Sequence, residues 1–95
     1  MKVSNMKSHN GINAANVPNQ FILESETEIV FQSYATIIAK KVKTTGEVFL
    51  DSKMWDCSKT TGKYRNDFLN EGIAETRKKI ASGEYKLIDL NYRRA

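Results

Sequence analysis

Residues 55–69 run Trp55, Asp56, Cys57, Ser58, Lys59, Thr60, Thr61, Gly62, Lys63, Tyr64, Arg65, Asn66, Asp67, Phe68 and Leu69. Strand-like sequence stops just before this block and helix-like sequence begins within it, so the chain must pass from sheet to helix here. Ser58, Thr60 and Thr61 can each cap a helix, because a hydroxyl oxygen accepts a hydrogen bond from the backbone N–H groups that a first turn leaves unpaired. A helix from there to about Asn70 places Thr61, Tyr64 and Phe68 on one side, with Leu69 at its margin. Lys59, Lys63, Asn66 and Asn70 fall on the opposite side. The aromatic side is expected to be buried, with Trp55, Tyr64 and Phe68, joined by Ile80 further on, anchoring helix to sheet.

Upstream, β-branched and aromatic residues come in short runs. Residues 21–23 and 29–31 are separated by the polar turn Glu24, Ser25, Glu26, which reads as a hairpin. Residues 34–43 alternate with Tyr34, Thr36, Ile38, Lys40 and Val42 on one face and Ala35, Ile37, Ala39, Lys41 and Lys43 on the other. Thr44, Thr45 and Gly46 supply a turn, and residues 47–50 return as the second strand of a second hairpin. Asp51 and Ser52 then cap a short turn that lays Trp55 against the sheet. Downstream, Gly72 with Glu75 resembles a capping box for a second helix through Ala81, whose apolar side is Ile73, Ile80 and Ala81. Ser82 and Gly83 end it, residues 85–90 read as a last strand, and residues 92–95 form a basic tail. Residues 1–18, rich in Asn and Ser and without a period, read as a flexible arm. The fold class is α+β: a small antiparallel sheet of four or five strands, made of two hairpins and a C-terminal strand, packed against two short helices. The domain itself spans residues 19–91.

Ninety-five residues suffice for one such domain and not for two. With no apolar run near the roughly 18 residues of a membrane span, and no apolar stretch after Lys2 and Lys7, neither a membrane partner nor a secretory signal is expected. The single cysteine, Cys57, excludes an internal disulfide framework. The net charge is +4 and is unevenly spread. Glu24, Glu26 and Glu28 stand in a stretch without a basic residue, whereas residues 40–65 hold Lys40, Lys41, Lys43, Lys53, Lys59, Lys63 and Arg65 against Glu47, Asp51 and Asp56. Separate acidic and basic patches are expected, which fit an acidic protein partner, nucleic acid or solubility alone.

Catalytic readings each meet a simpler one. His9 is the only histidine and stands in the arm, which leaves no imidazole for a metal site or for activating Cys57. Cys57 reads as a small, partly buried thiol. Thr60, Thr61, Gly62 and Lys63 are reminiscent of a phosphate-binding loop, but that motif needs Gly where Cys57 stands and Ser or Thr where Tyr64 stands. Backbone amides at the helix start, flanked by Lys59 and Lys63, could still hold a phosphate. The three glutamates read as a solvated strand edge. No catalytic residue, metal or cofactor is expected. The contact candidates are Lys40, Lys41, Lys43, Lys59, Lys63, Arg65 and Asn66, with Tyr64 as a ring on which a base could stack.

Ser33, Tyr34, Ile38, residues 48–51, the block Trp55, Asp56, Ser58, Thr60, Thr61, Lys63, Tyr64, Arg65, Phe68 and Leu69, and Glu75, Lys78, Lys79, Ile80, Ser82, Gly83, Glu84, Tyr85, Leu87 and Leu90 together resemble a small domain of unknown function associated with tailed bacteriophages. Residues 33–91 carry the resemblance, and residues 1–32 lie largely outside it. Cys57 stands where a tyrosine is expected, and Asn70 with Gly72 replaces a glycine turn and a threonine cap. The resemblance implies a phage origin and a cytoplasmic location in the infected host. By analogy with small phage accessory proteins, the expected function is non-enzymatic binding of a host protein, as an inhibitor of host defence. The alternative is a small nucleic-acid-binding protein using the basic hairpin and helix face. A homodimer formed through a hairpin edge or the arm is a further possibility.

Overall fold

The computed structural model describes residues 1–7 and 16–91. Its elements are β1 (Lys2–Lys7), β2 (Asn16–Glu24), β3 (Glu28–Ser33), β4 (Thr36–Val42), β5 (Val48–Asp51), α1 (Lys59–Leu69), α2 (Ile73–Ser82) and β6 (Tyr85–Ile88). The strands form one sheet in the order β1-β2-β3-β4-β5-β6. The first five are antiparallel neighbours, and β6 lies parallel to β5. A parallel pair needs a long crossover, and both helices occupy it. The fold is α+β as the sequence implies, but the sheet has six strands among the described residues, where four or five were expected, and one of its pairs is parallel.

Residues 2–7 and 16–18, read from the sequence as part of a flexible arm, lie in strands. Over the described part, Lys2 to Asn5 pair with Glu24 to Phe21, and Lys7 with Asn16. Polar residues suit this strand because it is an edge, where one row of backbone groups faces water and Lys2 and Lys7 discourage further pairing. Residues 8–15 and 92–95, which include His9 and the basic tail, lie outside the described residues.

Register decides which side chains reach the core. The row Ile22, Phe31, Ala39, Leu50, Leu87 crosses five strands on the helix-bearing face. The next row over, Leu23, Val30, Lys40, Phe49, Lys86, lies on the opposite face. In β3–β4, Phe31 pairs with Ala39 but Gln32 pairs with Ile37, so Ile38 is an extra residue in a bulge. The bulge overrides the expected alternation of β4: Ile38 and Ala39, assigned to opposite faces by period two, are both fully buried. The core is completed by Val48, Tyr64, Phe68, Leu69 and Tyr85.

The β3–β4 turn has Tyr34 at φ 55° with its side chain 60 % exposed. A left-handed backbone is costly for an aromatic residue and tolerable for asparagine. Tyr34→Asn is therefore expected to raise stability by about 0.5–1 kcal/mol, read as a higher urea midpoint with an unchanged slope.

The helices are held by polar contacts as much as by apolar ones. α1 ends at Asn70, which is left-handed at φ 56°, and α2 begins at Gly72 and ends at the left-handed Gly83. Between them, the Glu71 carboxylate accepts hydrogen bonds from Thr76 Oγ1 at 2.6 Å, Lys79 Nζ at 2.7 Å and the Tyr85 hydroxyl at 2.7 Å. Burial pushes the Glu71 carboxyl up, but these donors hold it below its ordinary value. Burial, and then the Glu71 carboxylate, push the Tyr85 hydroxyl up to about 12. The expected apolar side of α2 is altered accordingly. Ile80 packs on the core, Ala81 is exposed, and the fully buried residue is Thr76, whose hydroxyl also reaches the Gly72 carbonyl.

Candidate functional site

The site is built outward from the end of β5. Asp51 Oδ2 accepts hydrogen bonds from the Lys53 and Met54 amides at 3.2 and 2.9 Å, and Oδ1 accepts one from the Leu90 amide at 2.8 Å. A carboxylate with three backbone donors fixes the turn after β5 and ties it to the segment after β6. Burial pushes Asp51 up, but its hydrogen bonds, those of Leu90 and Asn91 foremost, hold it below its ordinary value. The turn lays Met54 and Trp55 against the core. Ser58 then caps α1 from an extended conformation, its Oγ accepting from the Thr61 amide at 3.1 Å.

The inner side of α1 meets the sheet through Phe68, whose ring lies 5.9 Å from that of Phe31, and through Thr61, whose hydroxyl is 3.1 Å from that of Ser33. Lys41 reaches up from β4 to donate to the Phe68 carbonyl at 2.5 Å, with its ammonium 4.5 Å from the Phe68 ring centre. α1 has no basic residue in its own last turn, so Lys41 supplies the cation that a helix C-terminus favours. Burial lowers the pKa of Lys41. This lysine is a packing element of the fold.

Arg65 also lies inside, only 1 % exposed, where a contact residue was expected. Its Nη1 donates to the Trp55 carbonyl at 2.8 Å and to Asp56 at 3.1 Å, and its Nη2 donates to Asn66 Oδ1 at 3.1 Å. The guanidinium sits 5.3 Å from the Trp55 ring centre, a favourable cation–π placement. These acceptors, absent from any helical wheel, are the reason the charge turns inward. Gly62 lies close above it: a Cβ at that position would be 3.5 Å from Nη2.

On the outer flank, the turn before α1, the exposed side of α1 and the start of α2 enclose an open cleft of about 730 Å³. Its lining includes Asp56, Cys57, Lys59, Gly62, Lys63, Arg65, Asn66, Asp67, Ile73 and Arg77. Lys59 and Lys63 are exposed and pair with no carboxylate among the described residues; Lys63 lies 5.5 Å from the Tyr64 ring centre. Arg77 bridges to Asp56 at 3.5 Å. Cys57, expected to be partly buried, is exposed on this cleft because it sits in the turn ahead of the cap.

Of the contact candidates, the cleft gathers Lys59, Lys63, Arg65 and Asn66. Lys40, Lys41 and Lys43 line no part of it. Lys40 pairs with Glu28 at 3.2 Å and Lys43 with Glu24 at 2.7 Å. Glu24 and Glu28, expected to form part of an acidic patch, are thus each met by a lysine from β4 or the turn after it, while the basic side chains that remain gather beside α1. Arg77 and Asp67 were not anticipated. Arg77 in particular comes from a helix whose position over α1 no local spacing reports.

Among the described residues, no cluster of His, Cys, Asp and Glu could hold a metal ion, and no helix is long and apolar enough to cross a membrane. Fold and cleft together define a small α+β domain with a cation-rich groove along one helix. The model of a family of unknown function, DUF8033, matches residues 1–85, and the chain belongs to that family. The match takes in β1 and β2, which the phage resemblance had left largely outside. No curated protein and no solved structure matches the chain.

Proposed function

We propose that the chain is a non-enzymatic binding protein that engages another protein through the cleft beside α1. In the setting of the phage resemblance, the partner is a host protein and the role is inhibition of an anti-phage defence system. The carrying observation is that Lys59 and Lys63 stand exposed on a concave surface without carboxylate partners among the described residues. Most other candidate cations are committed: Lys40 and Lys43 to glutamates, Lys41 to the end of α1, Arg65 to the turn before α1. A polynucleotide backbone needs a longer track of free cations than these two lysines, since Arg77 is paired with Asp56. A compact acidic element of a protein suits them better.

The test is affinity capture from a host lysate with nuclease treatment, comparing the wild-type chain with a Lys59→Ser/Lys63→Ser variant. A nuclease-resistant partner is expected on the wild type and at least fivefold less of it on the variant, whose circular dichroism and melting temperature stay unchanged because both lysines are exposed. Loss of all captured protein on nuclease treatment, with steeply salt-dependent binding of an oligonucleotide, would replace this reading with the nucleic-acid one.

A further inference from the structure

α1 packs on the sheet through Phe68 against Phe31, and α2 reaches the same core through Ile80. Both helices therefore lie on one face, and no helix covers the other among the described residues. On that second face the register lines up Leu23, Val30, Lys40 and Phe49 in one row, and Phe21, Gln32 and Ile37 in the next. An antiparallel sheet with a wet face ordinarily puts polar side chains there. Here most of the positions are apolar, none is fully buried, and none of the apolar ones joins the core cluster. Val3 and Ile88, at the two margins of the face, are 63 % and 39 % exposed.

The charges on this face are closed within one copy of the chain. Lys40 pairs with Glu28 at 3.2 Å and holds its ammonium 5.2 Å from the Phe49 ring centre, and Lys86 pairs with Glu47 at 3.4 Å. An identical face therefore meets no net charge, whereas a strongly charged partner finds none to hold. Shape points the same way, because two sheets of one twist stack about 10 Å apart, at about 30°, with their side chains interleaved. Six strands about 4.8 Å apart and about five residues long offer a projected area on the order of 400 Å². That is the scale of the roughly 500 Å² per partner at which specific interfaces begin. We infer that this face is a dimer interface: two copies stack sheet on sheet about a two-fold axis, with Leu23, Val30 and Phe49 in the dry centre. The contact is distinct from edge pairing through β1. It also leaves the cleft beside α1 open on the outer side of each copy, so it stands whether or not that cleft binds a protein.

The experiment is sedimentation equilibrium of the full-length chain at concentrations up to about 100 μM, where a micromolar dimer is well populated. The wild type is expected to be dimeric. Leu23→Lys, which puts an unpaired charge into the dry centre, is expected to be monomeric. Val30→Thr keeps the shape and strand preference of the residue, and its hydroxyl is wet in the monomer but dry in the dimer. Dimerisation is expected to weaken about tenfold in that variant, with the circular dichroism unchanged. Lys59→Ser/Lys63→Ser is expected to dimerise like the wild type. A mixture of carbon-13-labelled and unlabelled chains should show isotope-filtered NOEs from the Leu23 and Val30 methyls of one copy to the Phe21 and Phe49 rings of the other. A wild type that stays monomeric throughout the range overturns the inference, as does a dimer without those NOEs. Dissociation of the double-serine variant moves the interface to the cleft and overturns it too. Binding of zwitterionic lipid vesicles by a monomeric wild type replaces the second copy with a membrane surface.

Discussion

Replacing Arg65 with alanine is expected to lower the unfolding free energy by about 3 kcal/mol, a large effect for a residue whose type suggests an exposed charge. The substitution removes three hydrogen bonds and the cation over Trp55. It also leaves the space of a long side chain that is almost wholly buried, and part of the cost is that cavity. Lysine does not restore the loss, because one ammonium cannot span the Trp55 carbonyl, Asp56 and Asn66 as a planar guanidinium does. Urea unfolding followed by circular dichroism checks both variants. A loss below about 1 kcal/mol for Arg65→Ala would mean that the buried charge is no better than neutral for the fold.

Asp51 carries the second large effect. Asp51→Ala is expected to cost about 3 kcal/mol, and Asp51→Asn nearly as much. Three backbone N–H groups converge on its two oxygens, and an amide offers one oxygen and turns an NH₂ toward the remaining donors. The same geometry sets the acid response. Because the folded-state pKa of Asp51 lies below its ordinary value, its contribution is present above the unfolded pKa and is lost as pH falls through the folded one. Glu71 acts in the same direction. Stability should therefore hold from neutral pH to about 4.5 and decline below that. The decline should be shallower in Asp51→Ala, where one of the two carboxylates no longer contributes. Urea midpoints between pH 7 and pH 3 measure it, and equal slopes for wild type and variant would remove Asp51 from the acid transition.

The parts of the fold governed by local rules could be read from the chain. The Ser58 cap, the left-handed Gly83 that ends α2, the two hairpins and the inward side of α1 all follow from residues within a few positions of one another. The departures arise where distant partners decide. Period two cannot see that Phe31 and Gln32 skip a residue opposite, so the bulge at Ile38 was hidden. An asparagine-rich N-terminus looks unstructured until a neighbouring strand offers it a ladder. Arg65 is the instructive case: four residues after Thr61 and four before Leu69, it lies by spacing on the buried side. Its charge argued outward, and only the acceptors brought by the preceding turn reverse that. Likewise the clustering of Lys59 and Lys63 was legible on one helix, whereas the cleft became visible only once α2 closed its far wall.

The parallel pairing of β6 with β5 also sets an order of events in folding. The antiparallel neighbours from β2 to β5 meet across short turns, Glu24 with Ile29 and Lys41 with Val48. Tyr85, by contrast, must find Val48, thirty-seven positions back. Closing that interval is entropically the costlier step. The hairpins can therefore form while the helical crossover is still open, and the cleft comes into being with the last strand.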